Sequence, residues 1–309
     1  MTSSTPTHQP ISQRQNSDAC MKLLRADTWY YLRAKRWHAL KVGGTLLLAL
    51  AAPIVLFWEP GWGDWLGALA GAWVLAGRTV LSWLDERHVH QAVTIQEEFD
   101  VDLFDLDWND ALAGSKAAPE DIDTAARKIV KETDVERLRN WYADADSAVW
   151  PMNVVLCQRS SAVWGRRNHF GYAYLVLGLG ITWFAAGLLM ASLAPNPSLA
   201  HYLVIVFLPS QPAFLDTVDL LRGHLRLANA KKALEEQTTA LWTRGVQSPG
   251  AVTQQDCRDI QDQTYRLRRA GMQIPQIVYR IRRKQDEAAM QAAVARLLKM
   301  NPPVDAQEA

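Results

Sequence analysis

The chain has 309 residues and a net charge of +1, so it carries no overall field that would draw it to DNA or RNA. Its three cysteines, Cys20, Cys157 and Cys257, lie far apart and form no CxxC pair, so neither a metal nor another cofactor is expected. With a mean hydropathy of −0.12, a membrane protein of this composition would have to concentrate its apolar residues in a few runs.

Four apolar runs meet that requirement. Residues 170–193 are uncharged and form the clearest run, whereas residues 65–84 contain one charge, Arg78. Residues 42–58 are at the short end of what crosses a bilayer. The last run, residues 199–221, is interrupted by prolines and polar residues: Pro209, Gln211, Pro212, Asp216 and Asp219. Any single run could be a buried core helix, but four runs with matching flanks favour four transmembrane helices.

Basic residues flank these runs on one side only. The short loops at residues 59–64 and 194–198 contain no Lys or Arg. The other flanks are basic and include Arg33, Lys35, Arg36, Lys41, Arg87, Arg159, Arg166, Arg167, Arg222, Arg226, Lys231 and Lys232. Because Lys and Arg accumulate on the cytoplasmic side, both termini and both long soluble segments are predicted to be cytoplasmic.

The predicted fold is predominantly all-α, with cytoplasmic helical segments between the second and third spans and at the C-terminus. Residues 1–12 are rich in Ser, Thr, Pro and Gln and are expected to be disordered. The remaining predicted divisions are a cytoplasmic amphipathic helix (13–41), a first transmembrane hairpin (42–84), a cytoplasmic middle domain (85–169), a second transmembrane hairpin (170–221) and a cytoplasmic C-terminal helical region (222–309).

Within the cytoplasmic parts, the acidic stretch at residues 94–110 alternates acids with apolar residues. This pattern predicts a half-buried extended segment with a solvated acidic face, and it lacks the glycine of a calcium-binding loop. Residues 118–142 are predicted to be helical, because Pro119 and two acids stand in the first turn. Three further helices are predicted near the C-terminus, at residues 222–245, 253–270 and 276–300.

Two groups of arginines lie beside aromatic residues. The first group precedes the third span and the second follows residue 264; their members are Arg159, Trp164, Arg166 and Arg167, and Tyr265, Arg266, Arg268 and Arg269. Arginine forks match phosphate groups, and aromatic rings stack on nucleotide bases, so either group could bind a nucleotide. Anchoring at the membrane interface and a solvated basic helix face are the alternatives, and the sequence leaves them open.

Charged residues inside the predicted spans suggest a gate. Arg78 and Asp216 lie at similar distances from the inner ends of the second and fourth spans, so each is a plausible partner for the other. Alternatively, each side chain reaches the cytoplasmic interface separately. Pro209 and Pro212 lack amide donors and are expected to kink or break the fourth span.

Enzyme signatures are absent from the sequence. It contains no P-loop, GxSxG, HExxH or GxGxxG motif, and Ser160 and Ser161 have no nearby histidine. These absences do not exclude catalysis, but they give it no support. The chain is therefore predicted not to be an enzyme.

Several strings resemble a known family. They are RQN at residues 14–16, YLRAK at 31–35, TIQEEFDVDLFDLDWN at 94–109, WY at 141–142, CQRSSAVW at 157–164, DIQDQTYRLRR at 259–269 and IPQIVY at 274–279. In this order, and with four apolar runs between them, they resemble the SMODS-associating four-transmembrane effector family of bacterial anti-phage signalling. The chain departs from that pattern at Ser161, where Asn is expected, and at Gly165, where Asp is expected.

The resemblance implies a function at the bacterial inner membrane. A cyclic-nucleotide synthase would make a cyclic oligonucleotide on infection, and this effector would sense it and damage the membrane. Because a four-helix bundle fills its own centre with side chains, a pore would require a homo-oligomer. A small-solute or ion transporter, a channel, and a membrane scaffold without gating are the alternatives.

Overall fold

The computed structural model describes residues 9–192, 200, 203 and 207–300. Every regular element among these residues is a helix, as predicted, and no strand occurs in them. The first eight residues of the segment expected to be disordered lie outside the described residues. The ordered chain already includes Ile11, which begins a short helix, α1 (Ile11–Arg14), and is buried in the main core.

The N-terminal half consists of helices joined by tight connections. Ser17 accepts a hydrogen bond from the Cys20 amide and so caps the long helix α2. The helices of this half and their bounds are α2 (Asp18–Trp58), α3 (Gly63–Ala76), a π-helical turn (Gly77–Leu81), α4 (Ser82–Phe104), α5 (Asp110–Ala113), α6 (Pro119–Ala126) and α7 (Glu132–Glu136).

The C-terminal half contains four long helices: α8 (Met152–Ser192), α9 (Leu208–Gln247), α10 (Gln254–Arg269) and α11 (Gln276–Lys299). A capping box between Thr253 and Asp256 begins α10. The last three of these helices, α9, α10 and α11, end within two residues of the ends predicted from the sequence. The predicted breaks are also observed, because the turn containing Gly250 separates α9 from α10 and residues 270–275 separate α10 from α11.

Two helices of the described residues are long and apolar enough to cross a membrane: Gly63–Phe104 and Met152–Leu189. They contain the predicted second and third spans. The predicted first span lies at the end of α2, and the part of the fourth span that is described lies at the start of α9. Both of these stay predictions. The first span is not among the two helices above, and most of residues 193–207 of the fourth lies outside the described residues.

Each predicted span continues directly into a helix that the sequence predicts to be cytoplasmic. Helices α2, α8 and α9 run without interruption from the predicted spans into these segments, and the π-helical turn joins α3 to α4. Leu47, Leu75, Leu179 and Leu189 are each more than half exposed on the predicted spans. An exposed apolar surface of this kind would be unfavourable in water and fits contact with lipid.

The main hydrophobic core lies among the segments that the sequence predicts to be cytoplasmic. Leu24 of α2, Phe99 and Leu103 of α4 and Leu156 of α8 are completely buried there. Helices from both halves of the sequence thus share one core, and this core fixes the positions of the adjoining ends of the predicted spans.

The prediction of an extended acidic segment at residues 94–110 is wrong for most of its length. Residues 94–104 continue α4, which ends at Asp105 in a left-handed conformation. Glu97 and Asp100 face the interior, where Arg258 and Arg268 of α10 pair with them. The alternating pattern was misleading because it assigned the acids to solvent, whereas buried arginines neutralise two of them.

The helix predicted at residues 118–142 is also shorter than expected. Pro119 begins α6 as predicted, but α6 ends at Ala126 and only the short α7 follows before residue 142. Helix α7 ends at Glu136, and Asn140 then adopts a left-handed conformation that a continuing helix would not allow. Tyr142 nevertheless enters the core and contacts α4, so this region packs as turns against the long helices.

Candidate functional site

Two of the predicted arginines on α8 are occupied by one carboxylate of α9. Arg159 donates a hydrogen bond of 2.9 Å to the Thr239 hydroxyl and lies 3.6 Å from Glu235. Arg166 lies 2.6 Å from the other carboxylate oxygen of Glu235. A phosphate at this position would have to compete with Glu235 for both guanidinium groups.

The third predicted arginine of this group, Arg167, connects α8 to α11. Its guanidinium donates a hydrogen bond of 2.7 Å to Asp286, which is 1% exposed. A buried carboxylate bound in this way holds the arginine firmly, because separating the pair would leave a charge in the interior. The α8 arginines therefore join helices. Trp164, the aromatic residue of the group, stacks on Tyr279 of α11.

The second predicted group divides between the two sides of α10. Tyr265 is buried among Ala34, Val89 and Val93. Arg266 and Arg269 are exposed and line an open surface cleft of about 570 Å³, together with His90 and residues 110–114. Neither arginine forms an ion pair with a described residue. The structure therefore does not bring them together with the arginines of α8.

Arg268 points to the opposite side of α10, into the interior. It lies 2.5 Å from Asp100 of α4, which is completely buried, and donates to the Ser161 hydroxyl of α8 at 3.3 Å. Asp100 also accepts hydrogen bonds from the Tyr142 hydroxyl at 2.7 Å and from Gln261 at 3.0 Å. A single buried carboxylate thus joins α4, the turns around residue 142, and α10.

Lys231 of α9 lies in the same region and has no counter-ion. Its side chain is buried against the bare backbone of Gly165, where an added Cβ would lie 2.5 Å from the lysine Cδ. Lys231 forms no hydrogen bond or ion pair with any residue that the structure describes. Burial, and after it the nearby Arg268, lowers the pKa of Lys231 to about 8. The departure from the family pattern at Gly165 makes room for this lysine.

A second lysine, Lys35 of α2, is partly buried and contacts the aromatic residues of this region. Its ammonium group lies 5.0 Å from the centre of the Tyr279 ring and donates to the Gln276 side chain at 2.8 Å. Tyr279 in turn stacks on Trp164 of α8, with ring centres 5.9 Å apart and planes inclined by 22°. Burial, followed by Arg280, lowers the pKa of Lys35 to about 8.

We use the name polar centre for the residues Lys35, Asp100, Trp164, Lys231, Arg268 and Tyr279. Asp27 of α2 lies beside it, is 2% exposed, and accepts a hydrogen bond from the Thr28 hydroxyl. Burial raises the pKa of Asp27 well above its usual range, which disfavours its charged form. Among the described residues, no carboxylate neutralises the buried Lys231 or the partly buried Lys35.

Sequence reasoning identified Trp164 and Arg268 of this centre but did not select Lys35 or Lys231. Both lysines were predicted to mark the cytoplasmic side of the membrane, and Lys35 also belongs to the YLRAK string. Each lies in a helix with ordinary basic neighbours, so no local pattern distinguishes it from a solvated lysine. The YLRAK and IPQIVY strings, which supply Lys35 and Tyr279, were the available signals.

The predicted gate residues lie in the predicted second and fourth spans. Arg78 belongs to the π-helical turn, and its guanidinium lies 3.9 Å from the Asp216 carboxylate of α9. Pro209 stands in the first turn of α9 and Pro212 lies inside this helix, which continues past both prolines. The helix is therefore not broken at these positions, and a kink there stays a prediction. Pro209 fits there because the first amides of a helix need no helical partner.

The chain belongs to a defined class of membrane effectors. It matches the family described as the SMODS-associating 4TM effector domain over residues 9–297, so it is a member of that family. A relative from Bacillus cereus strain VD146, named a probable CBASS effector molecule, is 26% identical over 297 residues. The match covers 93% of this chain and 98% of the relative. No solved structure matches the chain. The family resemblance predicted from the sequence strings is confirmed.

Proposed function

We propose that this protein is the membrane effector of a bacterial anti-phage CBASS system. In this proposal it binds a cyclic oligonucleotide on its cytoplasmic side, oligomerises and permeabilises the inner membrane. Family membership and the name of the Bacillus relative support the role of effector. A binding role rather than a catalytic one agrees with the lack of enzyme motifs in the sequence.

The observation that carries this proposal is the continuity of the long helices. α8 extends from the cytoplasmic core to Ser192 as a single helix, and α9 extends from Leu208 to Gln247. A rigid helix transmits a displacement at one end to the other. A ligand that moves the cytoplasmic ends of these helices would therefore move their membrane ends, which is the coupling that a ligand-gated effector requires.

The charge of the cytoplasmic interior fits an anionic activator. Lys231 is buried and Lys35 is partly buried, and neither has a carboxylate partner among the described residues, while Trp164 and Tyr279 supply aromatic rings. A cyclic oligonucleotide carries at least two phosphates and flat bases, so it complements both features. A transporter of a neutral solute would have no need of these buried cations.

Permeabilisation would require several copies of the chain. The membrane helices of one chain form too small a bundle to enclose water, because side chains fill the centre of such a bundle. Helix α11 offers a candidate contact surface, since Ile277 and Ile281 are 70% and 76% exposed one turn apart. We therefore propose a homo-oligomer that uses contacts of the C-terminal helices.

A dye-release experiment tests the proposed function. The purified protein is reconstituted into liposomes that contain a self-quenching dye, and synthetic cyclic di- and trinucleotides are added one at a time. We expect at least one nucleotide to release dye from protein-containing liposomes but not from protein-free ones. Equal leakage with and without every nucleotide would contradict ligand gating. Solute uptake without dye release would favour the transporter alternative, and no effect on either would favour a scaffold.

A further inference from the structure

We infer that the cyclic oligonucleotide binds inside the cytoplasmic bundle, at the polar centre, and not at the exposed arginines of its surface. The polar centre consists of Lys35, Asp100, Trp164, Lys231, Arg268 and Tyr279, as defined above. This inference rests on the proposed function. It adds where the activator binds, which side chains contact it and why binding would move the membrane helices.

Lys231 carries a positive charge that no described residue neutralises. An ammonium group that is withdrawn from water is strongly destabilising unless an anion or several hydrogen-bond acceptors replace the water. Lys231 is 8% exposed and has no such partner among the described residues. Arg268, the charged residue that faces it from α10, repels it and is already paired with Asp100. A phosphate group would supply the missing anion.

Aromatic rings lie beside the lysines of the polar centre. Trp164 and Tyr279 stack on each other, and the Lys35 ammonium lies 5.0 Å from the centre of the Tyr279 ring. Bases bind to aromatic rings of this kind irrespective of their identity, while a nearby lysine contacts the phosphate. The polar centre therefore offers partners for both chemical parts of a nucleotide.

The side chains of the polar centre come from different helices. They come from α2, α4, α8, α9, α10 and α11, so every long helix of the cytoplasmic bundle contributes one. A ligand inserted among them must separate some of these helices. Because α2, α4, α8 and α9 continue towards the membrane, binding at this position would move the predicted spans, whereas binding at the bundle surface need not.

The surface alternatives fit a nucleotide less well. Among the residues that line the cleft with Arg266 and Arg269, Tyr265 is buried and His90 is the exposed ring, so the cleft offers a base one imidazole and no larger aromatic face. A second cleft of about 600 Å³ contains two arginines, Arg159 and Arg244, but also Glu235 and Glu236. These carboxylates balance the arginines, so that cleft carries no excess positive charge for a polyanion.

Binding of radiolabelled cyclic di- and trinucleotides to the full-length protein in detergent tests this inference. The substitution Lys231→Met keeps the length of the side chain and removes its charge. We expect it to weaken binding of the active nucleotide by about 30-fold or more, the lower end of the loss typical when one partner of a buried charge pair is removed. The matched control is Lys232→Met, because Lys232 is the adjacent residue, is exposed, and pairs only with Glu236. It should bind as the wild type does.

A second pair of variants makes the result independent of any folding defect. Lys35→Met should also weaken binding, whereas the double variant Arg266→Ala with Arg269→Ala should not. Thermal melting, followed by tryptophan fluorescence, is measured for every variant. Lys231→Met should melt at or above the wild-type temperature, because it removes an unmatched buried charge.

The outcomes separate the inference from the proposed function. If a nucleotide binds the wild type, and both lysine variants bind it within about twofold while the surface double variant loses it, the site is at the surface and the inference is wrong. If a nucleotide binds and only the lysine variants lose it, the inference is supported. If no nucleotide in the panel binds the wild type, the proposed function itself fails, and the inference fails with it.

Discussion

The Arg78 guanidinium lies 3.9 Å from the Asp216 carboxylate, although the two residues belong to different predicted spans and are far apart in the sequence. Arg78 stands in a π-helical turn, and such turns often occur at functional positions of helices. An ion pair across two membrane helices holds them together and can separate when they move. This geometry makes the pair a candidate gate between α9 and the helix of the second span.

The first prediction concerns this ion pair. Arg78→Gln and Asp216→Asn should each alter nucleotide-dependent dye release, because each leaves an unpaired charge in the membrane region. The exchanged pair, Arg78→Asp with Asp216→Arg, should partly restore the wild-type response. Asp219→Asn is the control, since Asp219 is exposed nearly one turn further along α9. Insertion of every variant is checked by membrane fractionation, and wild-type release from both single variants would exclude this gate.

The second prediction concerns the buried carboxylate of Asp100. Asp100→Ala should lower the free energy of unfolding by about 3–5 kcal/mol, because Arg268 loses its counter-ion in the interior. Tyr142 and Gln261 would also lose an acceptor. Denaturant unfolding in detergent, followed by tryptophan fluorescence, measures the change. Asp102→Ala is the matched control, since Asp102 is exposed and contacts Lys116 at the surface; it should change stability by no more than about 1 kcal/mol.

The third prediction is a pH dependence that arises from Lys231. Burial lowers the pKa of Lys231 from 10.5 to about 8, so between these values the unfolded chain holds a proton that the folded chain has lost. The free energy of unfolding therefore rises with pH across this window, by up to about 3 kcal/mol for this group. Denaturant unfolding at pH values within the window should show a larger rise for the wild type than for Lys231→Met. Lys35 titrates in both proteins and so cancels in the comparison.

The same lysine should give ligand binding the opposite dependence. A phosphate beside Lys231 favours the protonated amine, so nucleotide affinity should fall as the pH rises above about 8. Binding assays on the wild type and on Lys231→Met at matched pH values separate this effect from any change in the nucleotide. An equal pH dependence in both proteins would show that Lys231 does not contact the ligand.

The fourth prediction is the membrane topology. Ser198→Cys should react with a membrane-impermeant maleimide in intact cells with a permeable outer membrane, because the loop at residues 194–198 lacks basic residues and should be periplasmic. Ser147→Cys is the matched control: Ser147 is exposed in the predicted cytoplasmic domain and should react only after lysis. The native cysteines are all buried and should give little background. Labelling of residue 147 in intact cells would overturn the topology.

The fifth prediction concerns assembly through α11. Ile281→Glu should reduce the fraction of oligomer, because it places a charge in a proposed contact between copies. Val149→Glu is the control, since Val149 is equally exposed, at 76%, but lies in the turn before α8 and outside α11. Chemical cross-linking in detergent, with and without the active nucleotide, measures the oligomer. A wild-type protein that stays monomeric under both conditions would contradict the homo-oligomer.

Local signals in the sequence determined where the last helices of this protein begin, but not where α4, α6 and α7 end. Thr253, with Asp256 three residues later, marks the start of α10, and Pro275 immediately precedes α11. The similar depth of Arg78 and Asp216 also followed from the sequence, because the rise of a helix per residue is constant. The apolar runs and their basic flanks gave the predicted spans for the same reason, since each is a property of neighbouring residues.

Only the tertiary structure decided which charged residues are available to a ligand. Arg167 and Asp286 are 119 residues apart in the sequence, and nothing near Arg167 indicates that a carboxylate of α11 occupies it. The acids of residues 94–104 were assigned to solvent, yet Asp100 faces Arg268 in the interior. Lys231 and Lys232 are adjacent and chemically alike, but one is buried without a partner and the other is solvated. Burial and pairing depend on contacts between distant helices, so the function of a charge in this protein follows from its tertiary surroundings.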